Sequence, residues 1–270
     1  MADTIVLIHG LWMTPRCWEL WVEYYRRPGY EVVTPAYPGL DAEVEELRAD
    51  PSPIERLTIE ETVDHCAAVI RGLARPPIII GHSFGGTLVQ LMLDRGLGAA
   101  GVAINSVPVK GVLVGPRSRP PTRHEAVPLT FEEFEQAFTT VAGEEEARAA
   151  YDRYYVPAPP GIVGEGVIEH VGSHPATEVD FTRPDRAPLL FVAGGEDRAT
   201  PPSLNRTNYT RYLEGSKALV AYREFPGRPH LSIVRSGWQD MADFALRWAE
   251  QPTPTAQEAL TSHRDGGTSS

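Results

Sequence analysis

The sequence predicts an α/β fold with a mainly parallel, doubly wound sheet of about six strands. Short apolar runs rich in valine and isoleucine alternate with longer amphipathic segments, which is the pattern of strands joined by helices. The runs are almost continuously apolar, so we expect strands that are buried on both faces. They lie at residues 4–8, 31–35, 77–80, 101–105, 188–193 and 219–225.

Helix signals fill the intervals between these runs. A threonine followed by a proline predicts a helix over 14–27. A capping box, formed by a threonine and a glutamate three residues later, opens a helix over 58–73. Two more helices are predicted over 83–93 and 236–249, the second from aromatic and apolar residues at helical spacing.

One long interval interrupts the alternation of strand and helix. Residues 107–186 contain no clear buried strand, although ordinary connections run about 2 to 6 residues. We interpret this interval as a cap insertion, because a lid over an active site is a common use of such inserts. Helices are predicted at 131–140 and 144–154, between proline-rich joints at 116–121 and 157–160.

The insertion divides the chain into a core and a cap. The core is predicted to comprise residues 1–106 and 187–250, with the cap at 107–186. Residues 251–270 are rich in proline, threonine, serine and glycine, so this tail is expected to be disordered.

Composition and charge exclude several classes of protein. The chain has 270 residues, of which 42% are hydrophobic, so one core can form without disulfide or metal staples. It carries 25 lysines and arginines against 36 acidic residues, a net charge of −11, which gives no electrostatic support for binding nucleic acid. Two cysteines without a Cys-x-x-Cys pair predict neither a zinc site nor a disulfide framework. No signal peptide or membrane span is predicted, so a reducing, cytoplasmic location is expected.

The strongest motif is Gly-His-Ser-Phe-Gly-Gly at residues 81–86, which fits the pattern G-x-S-x-G. It follows an apolar run and precedes a helical segment, which is the strand-turn-helix setting of a nucleophile elbow. The tight turn leaves no room for side chains at Gly81 and Gly85, and it exposes the hydroxyl of Ser83 at a helix N-terminus. The alternative is a glycine and serine turn that only packs.

A serine nucleophile needs a base and an orienting acid. Where the serine stands in an elbow of this kind, they follow it along the chain in the order serine, acid, histidine. Asp197 comes after the apolar run at 188–193, and His230 comes after the run at 219–225. We therefore predict Ser83 as nucleophile, His230 as base and Asp197 as the acid that orients the imidazole. Glu196 remains the rival acid.

The loop after the first strand is a candidate oxyanion hole. His9 and Gly10 follow that strand, and a glycine there lets the backbone approach a substrate. The backbone N–H groups of Leu11 and Phe84 are the predicted donors. His9 is expected to order this loop, with acid-base work as the alternative.

Three further residues are candidates for substrate binding. Trp12 follows the oxyanion loop, His82 occupies the variable position of the elbow, and Tyr154 lies in a tyrosine cluster at the end of a cap helix. The alternative for the tyrosines is that they pack the cap on the core, and the cap phenylalanines likewise predict an apolar helix stripe.

Together these motifs resemble the α/β-hydrolase superfamily, in its small single-domain bacterial esterase-like branch, over residues 4–250. The resemblance implies an α/β-hydrolase fold whose cap is inserted after the sixth strand of the family pattern. The two antiparallel leading strands of the larger pattern are absent, because the first strand already carries the His-Gly loop. Ser83 argues against the epoxide hydrolases and haloalkane dehalogenases of this fold, which use an aspartate. No cofactor or metal is expected, since no phosphate-binding glycine pattern or ligand spacing occurs.

The sequence therefore predicts a serine hydrolase acting on a carboxylic ester, thioester or lactone of a small, moderately apolar acyl compound, through an acyl-enzyme on Ser83. Two other functions stay open at this point. The same triad serves carbon-carbon bond hydrolysis, cyclisation or acyl transfer in other enzymes of this fold. A small-molecule receptor that keeps the pocket is the third possibility.

Overall fold

A computed structural model describes residues 2–113, 125–164 and 167–254. The predicted proline-rich joint at 116–121 and residues 255–270 of the predicted tail lie outside these ranges. The strands are β1 (Thr4–Ile8), β2 (Glu31–Val33), β3 (Ile78–His82), β4 (Ala100–Ile104), β5 (Leu189–Gly194) and β6 (Val220–Phe225). The helices are α1 (Glu19–Arg26), α2 (Val44–Ala49), α3 (Ile59–Arg71), α4 (Phe84–Asp94), α5 (Phe131–Phe138), α6 (Glu144–Tyr154), α7 (Pro160–Val163), α8 (Val167–Val171), α9 (Pro202–Gly215) and α10 (Trp238–Glu250).

The six strands form one sheet in the order β2-β1-β3-β4-β5-β6, and each neighbouring pair in it is parallel. The predicted α/β-hydrolase sheet is therefore confirmed, with every strand within two residues of its predicted bounds. The chain runs outward from β1 to β2 and then returns to β3 on the other side. In open α/β sheets, ligands bind at this switch point, beyond the carboxyl ends of the strands. The ends of β1 and β3 thus mark the expected site.

Every residue of the four inner strands, β1, β3, β4 and β5, is buried, and because successive side chains point to opposite sides of the sheet, both faces of these strands are covered. The edge strands β2 and β6 are partly exposed. On one face, the core joins β1 residues Val6 and Ile8 to α3, α4 and α9. On the other face, Ile5 and Leu7 pack with α1 and α10, whose Trp21 and Trp238 rings stack with their centroids 5.8 Å apart. The sheet is therefore covered on both sides, as the apolar runs predicted.

Most of the predicted helices start and end within two residues of their predicted limits. The capping box of α3 is present, since the Glu61 N–H donates to the Thr58 hydroxyl and the Thr58 N–H donates to the Glu61 carboxylate. Between Thr14 and Arg27, a 3-10 turn over Pro15–Trp18 precedes α1. Helices α2, α7, α8 and α9 were not predicted.

The segment predicted as the cap contains α5, α6, α7 and α8 and one isolated antiparallel bridge between Val127 and Ala158. Its attachment to the core includes Arg48, which donates hydrogen bonds to the carbonyls of Tyr151 and Tyr155. The rings of these two tyrosines stack on each other with their centroids 4.5 Å apart. The boundary between core and cap stays a prediction. In the ranges that the structure describes, no helix is long and apolar enough to cross a membrane.

We expect Thr58→Ala to lower the free energy of unfolding by about 1 kcal/mol, because the variant leaves one N-terminal N–H of α3 without its acceptor. Thr58→Ser keeps the hydroxyl and serves as the matched control. Urea unfolding followed by circular dichroism measures both variants. Equal stability of wild type and Thr58→Ala would show that this cap does not support the fold.

Candidate active site

Ser83 stands in the tight turn between β3 and α4. Its φ of 56° and ψ of −119° place a non-glycine residue in a strained region of backbone conformation. A Cβ on Gly81 would overlap the carbonyl of Gly85, and a Cβ on Gly85 would overlap the carbonyl of Ile8. The turn therefore forms only with glycine at both positions, and it fixes the direction of the Ser83 side chain.

The loop that follows β1 passes directly beside Ser83. A Cβ on Gly10 would lie 2.9 Å from the Cβ of Ser83, so only glycine permits this approach. The next residue, Leu11, and the first residue of α4, Phe84, each bring a backbone N–H to this region. Neither N–H donates a hydrogen bond to another residue that the structure describes. Two unused donors near a serine match the composition of an oxyanion hole, and the role of Leu11 and Phe84 as its donors stays a prediction.

His230 and Asp197 form a buried hydrogen-bonded pair. The His230 Nδ1–H donates to Asp197 Oδ2 at 2.8 Å, and their side chains are 1% and 0% exposed. Thr200 supports the carboxylate, with its backbone N–H 2.8 Å from Oδ1 and its hydroxyl 2.8 Å from Oδ2. Glu196, the rival acid, is exposed. The structure thus brings His230 together with Asp197, and this leaves His230 Nε2 as the nitrogen without a proton.

Asn105, directly after β4, holds the two loops that carry Asp197 and His230. Its side-chain oxygen accepts from the Gly194 N–H at 2.7 Å, and its amide donates to the His230 carbonyl at 2.7 Å. Its φ of 48° shows that this placement strains the backbone. Sequence analysis missed both Asn105 and Thr200. A polar residue at the end of a buried strand next to the acid strand was the available signal for Asn105.

His82 lies next to His230. Its Nε2–H donates to the His230 carbonyl at 2.8 Å, and the two rings have centroids 4.7 Å apart. Burial, with a contribution from the His230 charge, lowers the pKa of His82 well below its usual range, so this ring is neutral at pH 7. These contacts support the base loop, and the predicted role of His82 in substrate binding stays a prediction.

His9 is fully buried beside the oxyanion loop. Its Nδ1–H donates to the Gly10 carbonyl at 2.8 Å, and its own carbonyl accepts the hydroxyl of Tyr37. Burial lowers the pKa of His9 to about 4. A neutral ring that bonds to its neighbouring carbonyl orders the loop, in line with the structural role that the sequence favoured.

Trp12 and Tyr154 connect the segment predicted as the cap to the predicted core. The Trp12 indole N–H donates to the Val127 carbonyl at 3.0 Å, so the remaining surface of this ring is apolar. The Tyr154 hydroxyl donates to Glu19 on α1 at 2.8 Å, while its side chain lines a cavity of about 190 Å³ between α6 and the loop at 229–235. Substrate binding by either residue stays a prediction.

The end of α5 contacts the base directly. The ring of Phe138 stacks on the His230 imidazole with centroids 5.1 Å apart and an angle of 28° between the planes. Sequence periodicity placed Phe138 in an apolar stripe, but periodicity gives no information about the partner across the interface. Among the described residues, no cluster of three or more histidine, cysteine or acidic side chains could hold a metal ion.

Solved structures of hydrolases share this fold. An extracellular α/β-hydrolase from a Paenibacillus species is 20% identical, with a TM-score of 0.64 over 90% of this chain and 98% of that chain. A methylesterase from Arabidopsis is 14% identical, with a TM-score of 0.62 over 92% and 99%. A pyrethroid hydrolase from Sphingobium faniae is 17% identical, with a TM-score of 0.62 over 93% and 99%.

No curated protein matches the chain. The model of the alpha/beta hydrolase family, in contrast, matches residues 5–256, which span the sheet, the elbow and the Asp197–His230 pair. The chain therefore belongs to the α/β-hydrolase family.

Proposed function

We propose that this protein is a serine hydrolase that cleaves a carboxylic ester, thioester or lactone through an acyl-enzyme on Ser83. The observation that carries the proposal is the Asp197–His230 hydrogen bond at the same edge of the sheet as the strained Ser83 turn. A pair of this kind beside a positioned serine is what nucleophilic catalysis requires. Membership of a hydrolase family supports the general class of reaction.

The reaction begins with attack by Ser83 Oγ on the carbonyl carbon of the substrate. Asp197 holds the proton on His230 Nδ1, so the lone pair of Nε2 takes the proton that Ser83 loses. The resulting imidazolium is stabilised by the Asp197 carboxylate, which itself remains ionised. Burial of the pair strengthens this attraction, since little water screens it.

The negative charge that develops on the substrate oxygen is met by backbone donors. The N–H groups of Leu11 and Phe84 bind this oxygen, and the positive end of the α4 dipole adds to the stabilisation. His230 then gives its proton to the leaving alcohol or thiol, which departs and leaves the acyl group on Ser83. A water molecule, deprotonated by His230, attacks the acyl carbon. The bond from that carbon to Ser83 Oγ then breaks, His230 returns the proton to Oγ, and the acid is released.

The proposed substrate is a small molecule with a moderately apolar acyl group. Trp12, next to the Leu11 donor, supports this choice, because its one polar atom is already bonded to Val127 and only apolar surface is left for a ligand. The proposed location is the cytoplasm. Its support is that Cys17 and Cys66 are both free and buried, as suits a reducing compartment.

We expect Ser83→Ala and His230→Ala to lower kcat by roughly 10⁵-fold each, and the double variant to cost little more, because triad members act as a unit. A series of p-nitrophenyl esters from acetate to decanoate measures this, and the wild type is expected to peak at one chain length. Ser203→Ala, at an exposed serine of α9, is the matched control. A folded wild type that neither cleaves an ester nor reacts with a fluorophosphonate probe would refute the proposal.

The acid is tested by a pair of neighbouring variants. Asp197→Asn is expected to lower kcat by roughly 10³- to 10⁴-fold, less than loss of the serine, because the imidazole loses its orienting charge and tautomer. Glu196→Gln is expected to leave kcat within about twofold, since this side chain is exposed. The same ester assay measures both, and the reverse order of severity would make Glu196 the acid.

A further inference from the structure

We propose that the C-terminal end of α5 and the two residues after it, a segment at 138–140, position the acid-base pair, and that the Phe138 ring holds the His230 imidazole at its working angle. The proposal rests on the proposed function, because it concerns how the same site is assembled. On this proposal, the segment at 138–140 helps to position the residues of the reaction, in addition to packing on them.

The ring contact supplies a restraint that the carboxylate cannot. The bond from His230 Nδ1 to Asp197 Oδ2 fixes one point on the imidazole, and the ring can still rock about that point. Phe138, stacked at 5.1 Å, and His82, tilted at 4.7 Å, both contact the ring and restrict this rocking. The position of Nε2 relative to Ser83 depends on that angle, and small misplacements of a reacting atom are costly in rate.

Two hydrogen bonds connect the segment at 138–140 to the loops that carry His230 and Asp197. The Leu231 N–H donates to the Phe138 carbonyl at 2.8 Å, one residue after the base. The Thr140 hydroxyl donates to the Glu196 carbonyl at 2.9 Å, one residue before the acid. The last carbonyls of a helix have no partner within it, so they are available for bonds of this kind.

Phe138 is itself held firmly. Its side chain is buried, and its ring packs on Phe134 of the same helix at 5.1 Å and on Trp12 of the oxyanion loop at 5.9 Å. Trp12 is tied to the cap a second time, because its carbonyl accepts the Val156 N–H at 3.0 Å. A ring fixed by several neighbours can restrain the imidazole, whereas a mobile ring could not.

A positioning role and simple packing predict different outcomes. If Phe138 only fills space, its loss lowers stability and leaves the chemistry of the folded enzyme unchanged. If it positions the base, its loss lowers kcat while substrate affinity is kept. Phe131 offers a matched comparison, because it is a buried phenylalanine of the same helix whose ring contacts Tyr151 and Arg148.

We expect Phe138→Leu to lower kcat on the best p-nitrophenyl ester by roughly 10- to 100-fold, with KM changed by less than about twofold. Phe131→Leu, measured in parallel, is expected to leave both constants within about twofold. Phe138→Tyr keeps the ring face and is expected to restore kcat to within about fivefold of the wild type. Circular dichroism and thermal unfolding establish that each variant is folded at the assay temperature.

A second measurement does not need turnover. The proton shared by His230 Nδ1 and Asp197 gives a far-downfield resonance in the proton NMR spectrum, and His230→Ala assigns it by its loss. We expect the resonance to be sharp in wild type and Phe131→Leu, and broadened or absent in Phe138→Leu, where the imidazole rocks and exchanges its proton.

The two measurements separate the possible failures. An inactive wild type whose resonance is lost in Phe138→Leu would overturn the proposed function and support the positioning role. An active wild type whose kcat and resonance are both unchanged in Phe138→Leu would overturn the positioning role and leave the proposed function intact. A lower kcat in Phe131→Leu equal to that in Phe138→Leu would also overturn it, because the effect would then belong to cap packing in general.

Discussion

The close approach of three backbone segments around Ser83 is the constraint on which the site depends. Gly81 meets Gly85, Gly85 meets the carbonyl of Ile8, and Gly10 meets the β-carbon of Ser83, all at separations that exclude a side chain. This packing joins β1, β3 and α4 at the switch point of the sheet, where the strands on either side run in opposite sequence order. This packing brings Ser83 and the backbone N–H groups of Leu11 and Phe84, the predicted nucleophile and donors, to one end of the sheet.

Asp197 and His230, the predicted acid and base, are positioned in a different way, by hydrogen bonds from polar side chains. Asn105 bonds to the Gly194 N–H and the His230 carbonyl, and Thr200 bonds to the Asp197 carboxylate. These groups are buried, so water cannot bind to them, and each hydrogen bond takes the place of a lost bond to water. A buried polar group left without a partner would lower the free energy of unfolding. The Asp197–His230 pair is therefore held from the strand ends of the sheet, and the end of α5 contacts it through the Phe138 ring.

The sequence was sufficient for the elements that depend on local pattern. The inner strands were predictable because they are buried on both faces. Asp197 and His230 were chosen because they follow β5 and β6 in the order that a serine site requires, and the structure pairs them, while their roles as acid and base stay predictions. Helix α9 was not predicted because its buried face includes Asn205 and Asn208. These polar residues interrupt the helical spacing of apolar residues on which the prediction depends. The contact of Phe138 with the base joins residues that are far apart in the chain, and hydrophobic periodicity carries no information on such pairs.

Backbone strain concentrates at the catalytic edge. Among the described residues, the non-glycine positions with positive φ are Trp12, Ser83 and Asn105, which follow β1, β3 and β4. Each such conformation costs of order 1–3 kcal/mol, against a net stability of about 5–15 kcal/mol for a typical domain. Glycine at any of them would relieve strain, but at Ser83 it would also remove the predicted nucleophile, and at Asn105 it would remove the hydrogen bonds to Gly194 and His230. Stability and the proposed activity are thus in conflict at this edge. Substitutions that raise heat resistance without loss of activity are therefore expected elsewhere, at helix caps and on outer helix faces.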